Sequence, residues 1–156
     1  MKKSSAPYER GRYTTRNYMM SASLDPTDPA QTAAWITSLA ETYMQGPDNR
    51  LYLPGSDEPA FERPILAYAS GNDSLWPSFK EHVGDFHWTP QEAFALAYPD
   101  ETVVAEELSV ICWLLPQTEK TRTEQRARKE MTGHRWARDR IMGEDIVNNG
   151  LRKHLI

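Results

Sequence analysis

A single cysteine, Cys112, stands among 156 residues, and that scarcity excludes whole classes of chemistry. One thiol forms no intrachain disulfide. Zinc sites built on several thiolates are excluded within these residues, as is a four-cysteine iron–sulfur cluster. No apolar run approaches the roughly 20 residues of a membrane-spanning helix. Lys2 and Lys3 open the sequence but no apolar stretch follows them, so no secretory signal is expected and the chain reads as soluble and cytoplasmic. There is no phosphate-binding glycine loop and no nucleophile elbow. The four histidines, His82, His87, His134 and His154, show no metal-ligand spacing and read as surface or hydrogen-bonded side chains.

Basic residues are scarce where acidic ones are dense. Residues 19–116 carry three basic and fifteen acidic groups, whereas residues 1–18 carry five basic and one acidic, and residues 117–156 carry ten basic and six acidic. Cationic ends on an acidic body read first as partners of that body, and with an overall charge of −4 nucleic acid is not the expected ligand. A hydrophobic fraction of 39% and eleven prolines predict one modest core joined by many irregular connections.

The longest apolar stretch is Leu108-Ser109-Val110-Ile111-Cys112-Trp113-Leu114-Leu115-Pro116. It is short, rich in β-formers and closed by proline, which predicts a buried central strand near 108–115. Burial there would raise the thiol pKa of Cys112 and rule it out as a nucleophile. Upstream, residues 1–24 mix Tyr8, Tyr13, Tyr18, Met19 and Met20 with arginines and no period, an arm of the kind that packs on a neighbouring subunit, so a homo-oligomer is expected. Residues 25–156 form one domain in this reading. Asp28-Pro29-Ala30-Gln31 starts a helix whose apolar positions (Trp35, Ile36, Leu39, Ala40, Tyr43, Met44) run to Gly46. A long connection to Pro64 holds a short edge strand at Arg50–Leu53, then Ile65–Ala69 reads as a strand ended by Ser70-Gly71-Asn72-Asp73. Two short helices follow, around Trp76–Val83 and after the capping box Thr89-Pro90-Gln91-Glu92. From Arg135 to Leu155 the pattern is a long helix, with Gly143 as a kink or a point of close approach. The fold class is therefore α/β (α+β): a small sheet flanked by helices and a long C-terminal helix.

The order of pieces also resembles a known family. Pro64–Asp73, Thr89-Pro90-Gln91-Glu92-Ala93, Leu108–Pro116, Thr121-Arg122, Arg126, Trp136-Ala137, Arg140, Gly143-Glu144, Asn148 and Leu151-Arg152 together resemble the N-terminal half of iron–sulfur proteins related to epoxyqueuosine reductase and, more distantly, of corrinoid reductive dehalogenases. The resemblance covers about residues 60–156. It implies an α/β domain that in better-known members holds a corrinoid and is followed by a cysteine-rich segment with two clusters. With one cysteine the present residues hold no such cluster, so the electrons would come from an iron–sulfur partner on another polypeptide.

Thr121, Arg122, Arg126, Arg140 and Glu144 are the candidate ligand-binding residues, placed at the outlet of the strand and on the tail helix. Guanidinium groups suit the phosphate or carboxylate of a nucleotide, a flavin or a corrinoid tail. The competing reading of the same residues is a salt-bridge network that docks the tail helix. Two functions follow: a redox-associated domain that binds a corrinoid or another anionic cofactor, or a noncatalytic interaction and oligomerisation module that kept the fold. No catalytic residue and no metal ligand is assigned.

Overall fold

The computed structural model describes residues 25 and 27–156. The expected arm, residues 1–24, lies outside the described residues. Helix α1 spans Pro29–Met44. The Asp28 carboxylate accepts the N–H groups of Ala30 at 2.9 Å and Gln31 at 3.3 Å, satisfying two of the donors a helix start leaves free. The Gln31 amide donates to the Asp28 side chain at 2.8 Å, where a capping box would have it reach the backbone N–H.

The connection from Gln45 to Pro64 has no strand at Arg50–Leu53. Tyr52 takes a left-handed conformation (φ 55°), which breaks the extended run, and Leu51 is buried in the core instead of lying along an edge. The loop is held from within. Buried Asn49 donates to the carbonyls of Met44 (2.8 Å) and Phe61 (2.9 Å) and accepts the Phe61 N–H (3.0 Å), tying both ends of the connection to one amide.

Strands β1, Ile65–Ser70, and β2, Ser109–Leu114, pair antiparallel in a two-stranded ribbon, Ile65 opposite Leu114 and Ser70 opposite Ser109. Alternation then sorts the side chains. Leu66, Tyr68, Ile111 and Trp113 share the face that carries the helices: the Tyr68 hydroxyl bonds Ala33 O and Thr37 Oγ1 of α1, and Trp113 Nε1 donates to Asn148 of the tail at 2.7 Å. Ile65, Ala67, Ala69, Val110, Cys112 and Leu114 share the other face. The predicted strand is in place, but it is not enclosed. Ile65 is 58% and Leu114 62% exposed, and Cys112 is exposed. A run that is apolar at successive positions reads as covered on both sides; here helices cover one.

Between the strands lies an excursion of α2 (Leu75–His82), α3 (Pro90–Ala97) and a 3₁₀ turn (Ala105–Glu107). The predicted capping box forms: Thr89 Oγ1 accepts the Glu92 N–H, and Glu92 accepts the Thr89 N–H. Trp76 Nε1 ties α2 to the carbonyl of Ser70 at 2.8 Å. Gly71 passes so close to the 3₁₀ turn that a Cβ would stand 2.5 Å from the Ala105 carbonyl oxygen. Neither α2 nor α3 has a buried residue.

The stretch at the outlet of the strand, where the sequence places Thr121, Arg122 and Arg126 and predicts no helix, is helix α4, Glu119–Ala127, begun by Thr118. Its Glu, Lys, Gln and Arg residues are good helix formers. The tail runs as α5 (His134–Met142), a π-helical turn (Gly143–Asn148) and α6 (Asn149–Leu155), bearing out the long C-terminal helix. Gly143 is a point of close approach, because a Cβ there would lie 2.7 Å from the Phe61 ring. Met44, Leu51, Ala60 and Val147 form the core with Tyr43, Leu53, Phe61 and Leu115 packed on it. The core thus sits at one end of the ribbon, between α1, the stapled loop and the tail.

Candidate functional site

Helix α4 projects its charges toward the loop before β1 and toward α5. Arg122 donates to Glu119 (2.9 Å), to Glu62 (3.1 Å) and to the Gln117 carbonyl (2.5 Å). Arg126 donates to Glu119 at 2.5 Å. Thr121 is fully buried, its N–H and hydroxyl facing Thr118 Oγ1 at the start of the helix. On α5, Arg135 makes a two-pronged contact with Glu58 (3.0 and 2.9 Å) and reaches Glu124 at 3.2 Å. Glu124 also accepts the His134 N–H at 3.1 Å. An open depression of about 420 Å³ lies over this network, lined by Glu119, Lys120, Thr123, Glu124 and Arg135.

The carboxylates respond as paired groups do. Arg135 holds Glu58 below the usual carboxylate range, and Thr123 with Arg122 does the same for Glu119. Burial works to raise Glu124, but the N–H groups of His134 and Arg135 with the guanidinium outweigh it and keep it lowered. Arg135 is raised in turn, chiefly by Glu58. The guanidinium groups of α4 and Arg135 are therefore already occupied by carboxylates of the same chain.

A second groove, about 360 Å³, opens between the end of β2 and the tail, lined by Phe61, Trp113, Leu114, Leu115, Gln117, Asp139, Arg140, Gly143 and Asn148. Asp139 is 4% exposed, and neither carboxylate oxygen has a hydrogen-bond partner among the described residues. Burial pushes its carboxyl up to about 7, against a smaller downward pull from the Gln117 amide, which lies near but outside bonding geometry. No cluster of three or more potential metal ligands occurs among the described residues.

The structure therefore divides the predicted site. Thr121, Arg122 and Arg126 stand together on α4, while Arg140 lines the separate groove and Glu144 falls in the π-helical turn, its side chain outside the described residues. Cys112 is not buried as expected: it lies on the uncovered face of the ribbon, opposite Ala67. Sequence reasoning missed Asp139, Arg135, Glu58 and Asn49. Only Arg135 left a local trace, as part of the basic tail; the others depend on partners distant in sequence.

No helix among the described residues is long and apolar enough to cross a membrane. Compared with protein-family models, with curated proteins and with solved structures, the chain finds no match in any of the three.

Proposed function

We propose that the chain is a noncatalytic interaction module, one that presents the uncovered face of its ribbon to an iron–sulfur polypeptide. The observation that carries this reading is the open face itself. Ile65, Ala67, Cys112 and Leu114 form a contiguous apolar strip, and beside it each strand has a single ladder partner among the described residues. Strips of this kind mark places where another chain packs or adds a strand. The internally paired arginines support the same choice, since a cofactor anion would have to displace Glu62, Glu119 or Glu58 to reach Arg122, Arg126 or Arg135. The redox character of the partner rests on the family resemblance.

The groove beside Trp113 favours a second reading, a domain that itself holds part of a corrinoid or another flat anionic cofactor. Its aromatic wall and Arg140 suit such a group, and its volume of about 360 Å³ is at the small end for a ligand site. Purification of the tagged chain from its native source tests both readings. Iron and the visible absorbance of iron–sulfur clusters in the eluate, lost in Ile65→Glu/Leu114→Glu, support the first. Saturable quenching of tryptophan fluorescence by added corrinoid, with no iron in the eluate, would replace it with the second.

A further inference from the structure

The ribbon holds two differently charged parts of the chain apart. Ser70 lies opposite Ser109 at one end and Ile65 opposite Leu114 at the other, roughly 17–20 Å away. Residues 71–108 leave and rejoin the ribbon at the Ser70 end, where Trp76 ties α2 to the Ser70 carbonyl. The tail is held at the opposite end. Trp113 donates to Asn148 at 2.7 Å, and the His154 ring lies 5.4 Å from that of Tyr43, near the close of α1, where Glu41 meets Arg63 just ahead of β1.

Residues 71–108 carry eight acidic groups and one basic group, Lys80, which pairs with Glu92 at 2.5 Å. Glu81, Asp85 and Glu101 are exposed and have no cationic partner among the described residues. On the same unit Phe86 is 73%, Trp88 62% and Leu96 61% exposed. The tail has the opposite character. Of its ten basic residues, Lys120, Arg122, Arg126, Arg128 and Arg135 approach carboxylates of their own chain, and Arg138 donates to the Tyr52 carbonyl. Lys129, Arg140, Arg152 and Lys153 are exposed and have no carboxylate partner among the described residues. Met131 and Ile141, within two residues of Lys129 and Arg140, are 72% and 57% exposed.

An apolar face that is also strongly negative is matched by a surface that is apolar and cationic. The same face of a second copy would set acid against acid, which charge repulsion opposes. Within one chain the ribbon keeps the unpaired cations of the tail away from the excursion, and no ion pair among the described residues joins the two. Between copies that separation disappears. The excursion of one molecule set against the tail of the next brings Glu81, Asp85 and Glu101 to unpaired cations, and gives the rings of Phe86 and Trp88 aliphatic and guanidinium groups to rest on.

We infer that copies of this chain associate head to tail, the acidic excursion of one on the cationic tail of the next. The contact is separate from the partner surface on the ribbon. Its two sides differ, so it does not close as a two-fold dimer does, and copies add until a ring forms or a filament grows. Sedimentation velocity of the full chain tests it. The mean mass of the wild type should rise past that of a dimer over a roughly hundredfold increase in concentration, and added salt should reverse the rise. Two triple variants, Glu81→Gln/Asp85→Asn/Glu101→Gln and Lys129→Gln/Arg152→Gln/Lys153→Gln, change only exposed side chains, and circular dichroism checks that both fold. Each alone should associate about tenfold more weakly. An equal mixture of the two should give a dimer and stop there, because one intact excursion and one intact tail remain to meet. A wild type that stays monomeric at every concentration overturns the inference, which is the outcome if residues 1–24 of the same chain cover the acidic face. A dimer of fixed mass that ignores the tail variant overturns it in favour of a two-fold contact, and so does a mixture that associates no better than its components.

Discussion

Replacing Asp139 by Asn should change how stability depends on pH, and the direction follows from one buried carboxyl. Moving that group from 3.8 to about 7 means the folded protein holds the proton over a range in which the unfolded chain has released it. Stability is then greatest below the unfolded value, declines as pH rises toward about 7, and stays at the reduced level above it. At about 1.4 kcal/mol for each tenfold change in proton affinity, the ionised folded state carries a penalty of about 4 kcal/mol at about pH 8. Asparagine does not titrate and so escapes that penalty. Its amide still lacks a partner in the same pocket, at a cost of roughly 1–2 kcal/mol. The variant should therefore be slightly less stable than wild type at about pH 4 and about 2–3 kcal/mol more stable at about pH 8. For a domain of this size that corresponds to a rise in melting temperature of roughly 5–10 °C. Urea unfolding at several pH values measures the difference. The lowered carboxylates Glu58, Glu92, Glu119 and Glu124 favour the fold at higher pH and lose that contribution in acid, but they are common to both proteins and cancel. A stability difference that stays constant from about pH 5 to about pH 8 would refute the reasoning.

Three further outcomes are expected. Asn49→Ala removes three hydrogen bonds and leaves the Met44 and Phe61 carbonyls and the Phe61 N–H without their partner, which should cost about 2–4 kcal/mol by chemical unfolding. Gly143→Ala gains roughly 1 kcal/mol of helix propensity but drives a methyl into the Phe61 ring, so thermal melts should show a net loss, reversed when Phe61→Leu is added. Arg135→Ala should lower the melting temperature because Glu58 loses its two-pronged contact and Glu124 its nearest guanidinium, whereas Arg126→Ala, on a far more exposed side chain, should leave it nearly unchanged.

The features legible in the sequence were local ones. Asp28 and Thr89 cap helices within three residues of themselves, and Pro29 and Pro90 follow them at the first helical position, so short-range chemistry sufficed. The strand at 109–114 was visible from its β-forming content, yet its surroundings were not, because apolar residues at successive positions look alike whether one face is covered or two. Helix α4 was hidden by its own charge: guanidinium groups at Arg122 and Arg126 drew attention to ligands and away from Thr118, a good cap immediately before Glu119. Asn49 and Asp139 were out of reach for a different reason. The partners that make Asn49 a staple lie five and twelve residues away, and what isolates Asp139 is a shell of residues drawn from β2, the Phe61 loop and the tail. Such roles arise only when the chain closes on itself.

The π-helical turn at Gly143–Asn148 carries a consequence for any shortening of the tail. A turn of this kind, closed by i→i+5 bonds, accommodates one residue more than an α-helical turn does. Trimming a single residue there would restore regular winding and rotate everything downstream by about 100°. Val147, packed with Met44, Leu51 and Ala60, and Leu151, likewise fully buried, would swing out of their present places. In this segment phase matters more than composition, and a deletion that leaves every apolar residue in place would still dismantle the interior.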